Sequence, residues 1–594
     1  MKSNKITKWL MLCLSVVAVS ACDITLYPED TITPGSYFRN ETDLQLFTNN
    51  FYASTMPSAT DIYQDEADII INPALNDAVS GQRIIPETGG GWSWTALRQI
   101  NYYLANSYRC PDEAVRKHYD GIARFFRAMF YYNKVVRFGD VPWYDVVVGS
   151  GDTELLNKPR DSRKLVMEKV LKDLDYAIEN INANKDVYRV TKWAALALKS
   201  RVMLFEGTFR KYHGLGDWEE CLNECVKASE QLIKEGGYKL FAKGDTPYAT
   251  LFSSLNATET SDEVILARDY NNTVSLRHSV QNYTKSPTAG CTGVTRRLVD
   301  AYLMADGSLH TDRANFDKLG FVEECKGRDP RMAQTLRTPG YVVDGAQTPA
   351  ALNAMKLGYQ LRKYYIAVEY DGFSEVDLPV FRLAEVMLNL AEAKAELGTI
   401  TQDDLDLTIN AIRKRAGVAG TLTLTPKEDS WLKGCYPNLA KVAPANINLI
   451  LEIRRERTVE LVMEGRRYAD IMRWKEGKVF EEEFLGMYFA ADGNYDLNSD
   501  GVVDFHIKTA NGTSTPAAGA EKLIVGENLT FVLPSASGST YNGESGFLTV
   551  HRNDVMQRTW IEERDYFYPI PTKERVLTNG VLTQNPGWND GLGL

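Results

Sequence analysis

Apolar side chains recur every three or four residues through much of the first half of this chain, which is the pattern of amphipathic helices. The spacing predicts helices over residues 121–137 and 164–181. A third helix is predicted over 191–207, beginning at a threonine cap and ending at a glycine. Residues 218–234 predict a partner helix for the third, so the helices are expected in pairs.

The same pattern returns in the second half of the chain. It predicts helices over 382–397 and 403–416, and the longest candidate covers 446–476. Helices of about 15 residues that pair across short turns, with alanines at close-packing positions, resemble tetratricopeptide units. The period is irregular because long insertions separate the pairs.

Three long insertions are rich in Gly, Ser, Thr, Asn and Pro: residues 238–300, 330–375 and 484–555. They are too long to be simple connections, and long ordered loops on a rigid scaffold often carry function. Short strands are expected within the third insertion, for instance over 529–533 and 547–550. We therefore expect a helical scaffold with an irregular, loop-rich side.

The N-terminus has the pattern of an export signal. Three lysines precede an apolar run over residues 10–21, which is too short for a membrane span of about 20 residues. The run ends Val-Ser-Ala-Cys, which looks like a bacterial lipobox with Cys22 as the lipidated residue. This predicts a signal peptide over 1–21, and a body held to a membrane by acyl chains in one leaflet.

The composition is that of an ordinary folded protein. The 594 residues are 44% hydrophobic and 24% charged, which excludes a disordered chain and a polytopic membrane protein. The formal net charge of −11 makes binding to nucleic acid through phosphates a poor hypothesis. Six histidines in the whole chain argue weakly against zinc chemistry.

Six cysteines remain after the signal peptide and the lipidated position. The export route permits disulfides, but the sequence does not decide their state. Two of the six are four residues apart in a predicted helix; we interpret this pair as small core residues, with a metal or redox pair as the alternative. The six are Cys110, Cys221, Cys225, Cys291, Cys325 and Cys435.

A search for catalytic motifs finds no H-E-x-x-H, P-loop, G-x-G-x-x-G or G-x-S-x-G pattern. The densest charged stretch is 453–474, where glutamates recur every four residues among arginines. A carboxylate catalytic site is one interpretation. An Arg–Glu network that holds helices together is favoured, because arginines lower the pKa of carboxylates and so oppose a general acid.

One acidic stretch has the first half of a calcium-loop pattern. Asp496, Asn498, Asp500 and Asp504 supply oxygen ligands at positions 1, 3, 5 and 9, with glycine at position 6. Position 12 is Ile507, where a calcium loop carries a bidentate glutamate. The stretch is thus either a structural Ca²⁺ site or an Asx-rich turn.

A glycine run precedes two tryptophans, Trp92 and Trp94, and then a predicted helix that contains Asn101. Exposed indole rings stack on the apolar faces of sugars, and nearby polar side chains bind the hydroxyl groups. The alternative is that both tryptophans anchor the helix to the core. The sequence leaves these two interpretations equally open.

Eight segments, taken in order, resemble the SusD/RagB family of Bacteroidetes outer-membrane nutrient-binding lipoproteins. Among them are the lipobox at Cys22, FFRAMFYYNKVVRFGDVPWYD at 125–145, RDPRMAQT at 328–335, ERTVELVMEGRRYADIMRW at 456–474 and YPIPTKERVLTNGVLTQNPGW at 568–588. The similarity spans essentially the whole mature chain, so it is far more specific than any single motif.

This resemblance implies a mainly α-helical SusD-like fold in which four tetratricopeptide-like helix pairs support a loop-rich ligand side with a few short strands. It divides the chain into a signal peptide (1–21), a lipid-anchored tether (22–40), an N-terminal helical region (41–237) and a C-terminal region (238–594) of one fold. It also implies a cell-surface protein without enzymatic activity or a required cofactor. Such a protein captures a glycan and passes it to a SusC-like TonB-dependent transporter.

The family's binding residues transfer poorly to this sequence. Trp92, Trp94 and Asn101 lie in the corresponding early region, without the spacing of the aromatic arc of starch-binding relatives. Further candidates are two tyrosines in the inserted loops and two early polar residues: Tyr283, Tyr341, Asp77 and Arg83.

Two other functions are considered. A peptide-binding lipoprotein of the RagB type would show a cleft of backbone donors with few aromatic platforms. A glycosidase would need two carboxylates facing each other, about 5 Å or about 6.5–9.5 Å apart. The sequence does not identify the glycan.

Overall fold

Helices form most of the scaffold in this computed structural model, which describes residues 37–286, 290–535 and 538–593. The predicted signal peptide and Cys22 lie outside the described residues. Within the described ranges, no helix is both long enough and apolar enough to cross a membrane.

The described part of the N-terminal half contains six longer helices, and the sequence predicted the bounds of four of them. The predictions 164–181 and 218–234 match within one residue, whereas 121–137 starts eight residues too late and 191–207 ends six residues too early. The six helices are α1 (Glu41–Thr55), α2 (Thr95–Leu104), α3 (Glu113–Phe138), α4 (Arg163–Asn180), α5 (Lys192–His213) and α6 (Trp218–Glu235). The C-terminal half contributes α7 (Leu383–Leu397), α8 (Ile409–Ala416), α9 (Ile447–Glu460), α10 (Arg467–Trp474) and the short α11 (Thr572–Leu577).

Shorter helices lie between these elements, some of them in the insertions. They are Ala59–Tyr63, Asp77–Ser80, Thr153–Leu156, Pro247–Leu251, Val280–Lys285, Arg296–Ala301, Phe321–Glu324, Pro330–Thr335, Gln402–Leu407 and Ser430–Cys435.

The predicted end of the third helix was wrong. Its start is confirmed, because the Thr191 side chain accepts a hydrogen bond from the amide of Ala194 at 3.4 Å. The helix, however, continues past Gly207 to His213 and ends at Gly214. A Cβ at Gly207 would lie 2.6 Å from Leu222 on α6, so this glycine permits close packing of two helices.

The longest predicted helix, 446–476, was also wrong, because the structure divides it into α9 and α10. Met463 and Gly465 between them have φ of 63° and 68°, which a helix cannot contain. A Cβ at Gly465 would lie 2.3 Å from the carbonyl oxygen of Asp61, so the chain passes very close to the short helix Ala59–Tyr63. In the same way, the predicted 403–416 helix breaks at Thr408.

The helices pack in neighbouring pairs. Helix α3 packs on α4 and α5 on α6, while α7 lies against both α6 and α9. Because each helix buries one apolar face against the next, a large hydrophobic core forms that contains residues from Phe38 to Leu582, beside a smaller cluster that includes Phe480 and Trp560. The mainly α-helical architecture predicted from the sequence is confirmed.

Short strands lie in and beside the insertions, as expected. They are β1 (Ile70–Ile71), β2 (Val264–Arg268), β3 (Gly293–Val294), β4 (Val342–Val343), β5 (Ala346–Gln347), β6 (Leu378–Arg382), β7 (Tyr488–Phe489), β8 (Gly493–Tyr495), β9 (Phe505–Lys508), β10 (Glu521–Ile524), β11 (Phe531–Leu533), β12 (Thr540–Tyr541) and β13 (Gly546–Leu548). The largest sheet has the order β12-β11-β13-β7. A second sheet has the order β10-β9-β8, in which β10 and β9 are parallel, and the other strands form the pairs β1–β3, β2–β6 and β4–β5.

The cysteines are structural. All six in the described residues are free thiols, and Cys221 and Cys225 are buried on α6. The Cys225 sulfur lies 3.8 Å from the carbonyl oxygen of Asn389 on α7. The interpretation of this pair as small core residues is therefore confirmed.

Candidate functional site

A cavity of about 590 Å³ lies where three separate parts of the chain meet. The tryptophan region and α2 form one wall, residues 142–157 a second, and α11 with the segment after it a third. We call this the Trp cavity, and its lining includes Trp92, Trp94, Arg98, Asn101, Tyr144, Val146, Leu156, Glu574, Leu577 and Leu582.

The glycine run positions the two tryptophans on α3. Gly89, Gly90 and Gly91 all have φ between 56° and 89°, which is the left-handed region that glycine adopts without strain. The resulting turn is held from below, because Arg137 donates to the carbonyl oxygen of Gly90 at 2.8 Å and Lys134 to that of Gly91. These hydrogen bonds thus hold the loop in one conformation, although its glycines allow many.

Trp92 is part of the core and only 5% exposed. Its ring packs edge-on against Phe138 with ring centres 4.9 Å apart, and against Trp94 at 5.3 Å. Trp92 therefore contributes the floor of the cavity rather than an open platform.

Trp94 is half-buried, so one tryptophan of the pair keeps accessible surface. Its ring rests on Phe130 at 5.6 Å and meets Tyr144 edge-on at 5.7 Å. The indole N–H groups of Trp92 and Trp94 donate to no other group within the described residues. Trp94 is therefore the side chain best suited to stack on a ligand.

Lys134 lies beneath this aromatic cluster. Its ammonium nitrogen is 5.4 Å from the ring centre of Trp94 and 5.0 Å from that of Phe130. Burial lowers the pKa of Lys134 to about 8. A partly desolvated cation against two ring faces is attracted by both, so Lys134 fixes the tilt of Trp94.

Asn101 supports the cavity and is itself buried. Its amide nitrogen donates to the carbonyl oxygens of Tyr144 at 2.9 Å and Val146 at 3.1 Å, and its oxygen accepts from Arg127 at 3.2 Å. Arg127 is held in turn by Asp173 at 2.7 Å. Asn101 thus fixes the second wall, and its amide is not free to bind a ligand as predicted.

Three further predicted contacts are buried elsewhere, so the prediction that they contact a ligand does not fit the structure. Arg83 donates to the carbonyl oxygen of Asp565 at 2.6 Å and stacks on Tyr568 at 4.8 Å. Tyr283 is buried and donates to Asn72 at 2.8 Å. Tyr341 is buried in the second insertion. Each packs within the fold because tertiary contacts, which the sequence pattern does not reveal, surround it.

Asp77 is exposed, but outside the Trp cavity. Its carboxylate lies 3.5 Å from the hydroxyl of Tyr568. Its predicted ligand contact stays untested.

Sequence reasoning missed several lining residues: Arg98, Tyr144, Val146, Leu156, Glu574 and Leu577. Tyr144 lies within segment 125–145, and Glu574 and Leu577 lie within segment 568–588; both segments supported the family resemblance, and this was the available signal. No local pattern connects α11 with the tryptophans, because only the tertiary fold brings these distant segments together.

The predicted Arg–Glu network is confirmed as scaffold. Glu460 is fully buried and pairs with Arg331 at 2.8 Å and with Arg382 at 2.7 Å. Burial raises the pKa of Glu460, but the guanidinium groups of Arg415, Arg382 and Arg331 outweigh burial and hold that pKa well below its usual range. A carboxylate held in this way cannot serve as a general acid.

The predicted calcium loop forms an Asx-rich turn between β8 and β9. The Asp496 carboxylate accepts the amides of Ser499 and Gly501 at 2.7 and 2.9 Å, and Asp504 accepts the amide of Leu497 at 2.7 Å. Ile507 is buried in β9 and supplies no ligand. The four oxygen-bearing residues are compatible with an incomplete calcium loop, so the Ca²⁺ site stays a prediction.

Within the described residues, one cluster brings metal-binding side chains together: Asp300, His310 and Glu324. Arg296 pairs with Asp300 at 3.1 Å and with Glu324 at 2.7 Å. The charges of Arg296 and of the neighbouring Arg328 offset those of both carboxylates, so the cluster is a poor cation site.

Comparison with known proteins agrees with this architecture. Residues 256–588 match the SusD family, and residues 93–204 match a family described as starch-binding and associating with the outer membrane. A SusD-like protein P2 from Formosa agariphila is 24% identical over 528 residues, covering 84% of this chain and 95% of the relative.

Solved structures show the same fold. A SusD-like protein from Bacteroides fragilis superposes with a TM-score of 0.67 at 21% identity, over 95% of this chain and 100% of that one. A SusD-like carbohydrate binding protein from the same species gives a TM-score of 0.66 at 22% identity, over 91% and 98%. The match to the SusD family covers more than half of this chain, so the chain belongs to the SusD family.

Proposed function

We propose that this protein is a cell-surface lipoprotein that binds a glycan in the Trp cavity and delivers it to a SusC-like TonB-dependent transporter. The observation that carries the proposal is the half-exposed Trp94, held rigidly over a cavity that also contains unpaired polar groups. A SusD-like relative described as carbohydrate binding supports the ligand class.

The chemistry of the cavity suits a sugar ring. The apolar face of a pyranose stacks on an indole ring. Trp94 offers the platform, and Tyr144 closes one side with its hydroxyl bound to the carbonyl oxygen of Leu155 at 3.1 Å. Polar side chains at the edges then bind hydroxyl groups in a shallow site.

The cavity suits binding better than hydrolysis. Of the residues that line it in the described chain, Glu574 alone carries a carboxylate. Glycoside hydrolysis needs two carboxyl groups, about 5 Å or about 6.5–9.5 Å apart. A single carboxylate can accept hydrogen bonds from a sugar but cannot provide both the acid and the base.

The proposed test is titration calorimetry with the soluble form that starts after Cys22, against plant, host and microbial polysaccharides. Binding to one polysaccharide is expected, and Trp94→Ala should abolish it. Trp218→Ala is the matched control, because Trp218 is also half-buried but lies at the start of α6, outside the cavity. Trp92→Ala is a poor probe because that ring is in the core.

Loss of binding in Trp94→Ala, with an unchanged melting temperature and normal binding by Trp218→Ala, would support the site. Equal binding by both variants would place the glycan elsewhere. Binding to peptides instead of any glycan would favour the RagB-type alternative and contradict the proposal.

Delivery to a transporter requires a separate test. The lipobox supports lipidation at Cys22, and the family description supports association with the outer membrane. A tagged full-length chain, purified from detergent-solubilised outer membranes, should bring a TonB-dependent transporter with it. The Cys22→Ala variant should leave the membrane fraction. Recovery of the chain alone under mild detergent conditions would contradict the partnership.

A further inference from the structure

Part of the lining of the Trp cavity forms an aliphatic wall that is open to solvent. Val146, Leu156 and Leu577 are 48%, 46% and 67% exposed, although all three line the Trp cavity. Val146 and Leu156 are far from Leu577 in the sequence, so this surface is formed by the folded chain and not by a single loop. A sugar hydroxyl pressed against this wall would lose its water without gaining a partner, which is unfavourable.

Two charged groups lining the cavity are unpaired. Within the described residues, the Arg98 guanidinium and the Glu574 carboxylate make no ion pair and no side-chain hydrogen bond. Arg98 belongs to α2 and Glu574 to α11, so donor and acceptor project from different walls. A ligand would therefore meet one unpaired cationic donor and one unpaired anionic acceptor, besides the indole N–H groups and the apolar surfaces.

Two polar side chains of the cavity are already engaged. The Asn101 amide is used by Tyr144, Val146 and Arg127, as described above. The Thr578 hydroxyl donates to the carbonyl oxygen of Glu574 at 3.0 Å and accepts the amide of Leu582 at 3.2 Å. Within the described residues, the Thr153 hydroxyl and the Asn157 side-chain oxygen make no hydrogen bond, so they stay open to hydroxyl groups of the ligand.

We propose that the cavity selects a glycan that contains N-acetylated amino sugars, an inference that rests on the glycan-binding function proposed above. An acetamido group carries an apolar methyl, one N–H donor and one carbonyl acceptor. The methyl matches the aliphatic wall around Leu577, the N–H matches Glu574, and the carbonyl matches Arg98. The sugar ring itself stacks on Trp94.

Other sugar classes match less well. A plain hexose places hydroxyls against the aliphatic wall. A uronic acid would pair with Arg98 but bring a second carboxylate near Glu574, and a free amino sugar would pair with Glu574 but bring a second cation near Arg98. The acetamido group is neutral and uses both free groups without repulsion.

The decisive experiment compares chito-oligosaccharides with cello-oligosaccharides of the same length by titration calorimetry. The two share β-1,4 linkages and differ in the acetamido group at position 2. We expect the N-acetylated oligomer to bind at least about tenfold more tightly, since one buried methyl group alone is worth that factor. Chemically deacetylated oligomers should lose this advantage.

Two variants locate the effect. Leu577→Ser and Glu574→Ala should each reduce the affinity for chito-oligosaccharides at least about fivefold and hardly change that for cello-oligosaccharides. Val576→Ser is the matched control for Leu577→Ser, because Val576 is 55% exposed on the same helix but does not line the cavity. All variants should melt at the wild-type temperature.

The outcomes separate this inference from the function on which it rests. Equal affinity for both oligomers, or tight binding of an unacetylated polysaccharide alone, in either case abolished by Trp94→Ala, would overturn the acetamido preference and leave the glycan site intact. A preference for chito-oligosaccharides that neither Leu577→Ser nor Glu574→Ala reduces would overturn the assigned contacts. Failure to bind any glycan would overturn both proposals.

Discussion

Lys134 links the scaffold to the proposed ligand platform, because its ammonium group hydrogen-bonds the carbonyl oxygen of Gly91 and lies 5.4 Å from the ring centre of Trp94. One side chain on α3 thus holds both the backbone turn and the indole. The Trp94 ring is oriented before any ligand arrives, and such preorganisation lowers the entropy lost on binding.

We expect Lys134→Met to weaken glycan binding about tenfold while the fold is retained. Methionine fills a similar volume but cannot bind the Gly91 carbonyl, so the glycine turn and Trp94 lose their anchor. Titration calorimetry measures the affinity, and circular dichroism reports the fold. Lys192→Met, at the start of α5 and outside the Trp cavity, is the control, and an unchanged affinity in Lys134→Met would show that the platform does not depend on this contact.

The sequence was a good guide to elements with a strong apolar period. Helices α3 to α7 were predicted because their buried faces repeat at helical spacing, and the Thr191 cap is visible as a residue type. The end at Gly207 could not be predicted, since this glycine permits contact with Leu222 on another helix. The break at Met463 and Gly465 is likewise set by packing against Asp61 and not by local propensity.

The candidate site was predictable only in part. The neighbourhood of Trp92, Trp94 and Asn101 was indicated by a glycine run beside aromatic residues, and all three line one cavity. Which of them is accessible depends on α3 beneath them. Glu574 and Leu577 could not be predicted, because their nearness to Trp94 exists only in the folded chain.

We expect Glu460→Gln to destabilise the protein by about 3–5 kcal/mol, because Arg331, Arg382 and Arg415 would keep their charges in the core with one carboxylate fewer. Urea unfolding at pH 7 measures the change. Glu219→Gln, exposed on α6, is the control.

The same network predicts acid sensitivity. In the folded protein the pKa of Glu460 is depressed below its ordinary value of 4.5. Its contribution to the free energy of unfolding is therefore fully present above pH 4.5 and is lost as the pH falls below that value. The wild type should therefore lose its advantage over Glu460→Gln in acid. A difference that does not change with pH would contradict this assignment.

The 496–504 turn predicts a measurable response to calcium. Burial raises the pKa of Asp504, and the nearby charges of Asp496 and Asp500 raise it further. A divalent cation would relieve this repulsion, so we expect millimolar Ca²⁺ to raise the melting temperature by a few degrees. Asp500→Ala should remove the response, whereas Asp403→Ala, at the start of an unrelated helix, should keep it. No shift with Ca²⁺ in the wild type would leave the segment as an Asx-rich turn.

Glu476 should make stability fall as the pH rises toward neutrality. Burial raises the pKa of Glu476 from 4.5 to about 7, although Arg454 and the amide of Asn438 oppose the shift. The folded state thus holds this proton more tightly than the unfolded state does. The resulting stabilisation is full below pH 4.5 and is lost as the pH rises to 7.

Glu476→Gln removes this titration and keeps an oxygen that can accept the Asn438 amide. We therefore expect the glutamine variant to gain stability relative to the wild type between pH 4.5 and 7, and to keep a constant advantage of roughly 1–3 kcal/mol above that range. Urea unfolding at pH 5, 6, 7 and 8 measures the difference, with Glu219→Gln as the exposed control. A wild type that is more stable than Glu476→Gln at pH 8 would show instead that the carboxylate is needed in its charged form by Arg454.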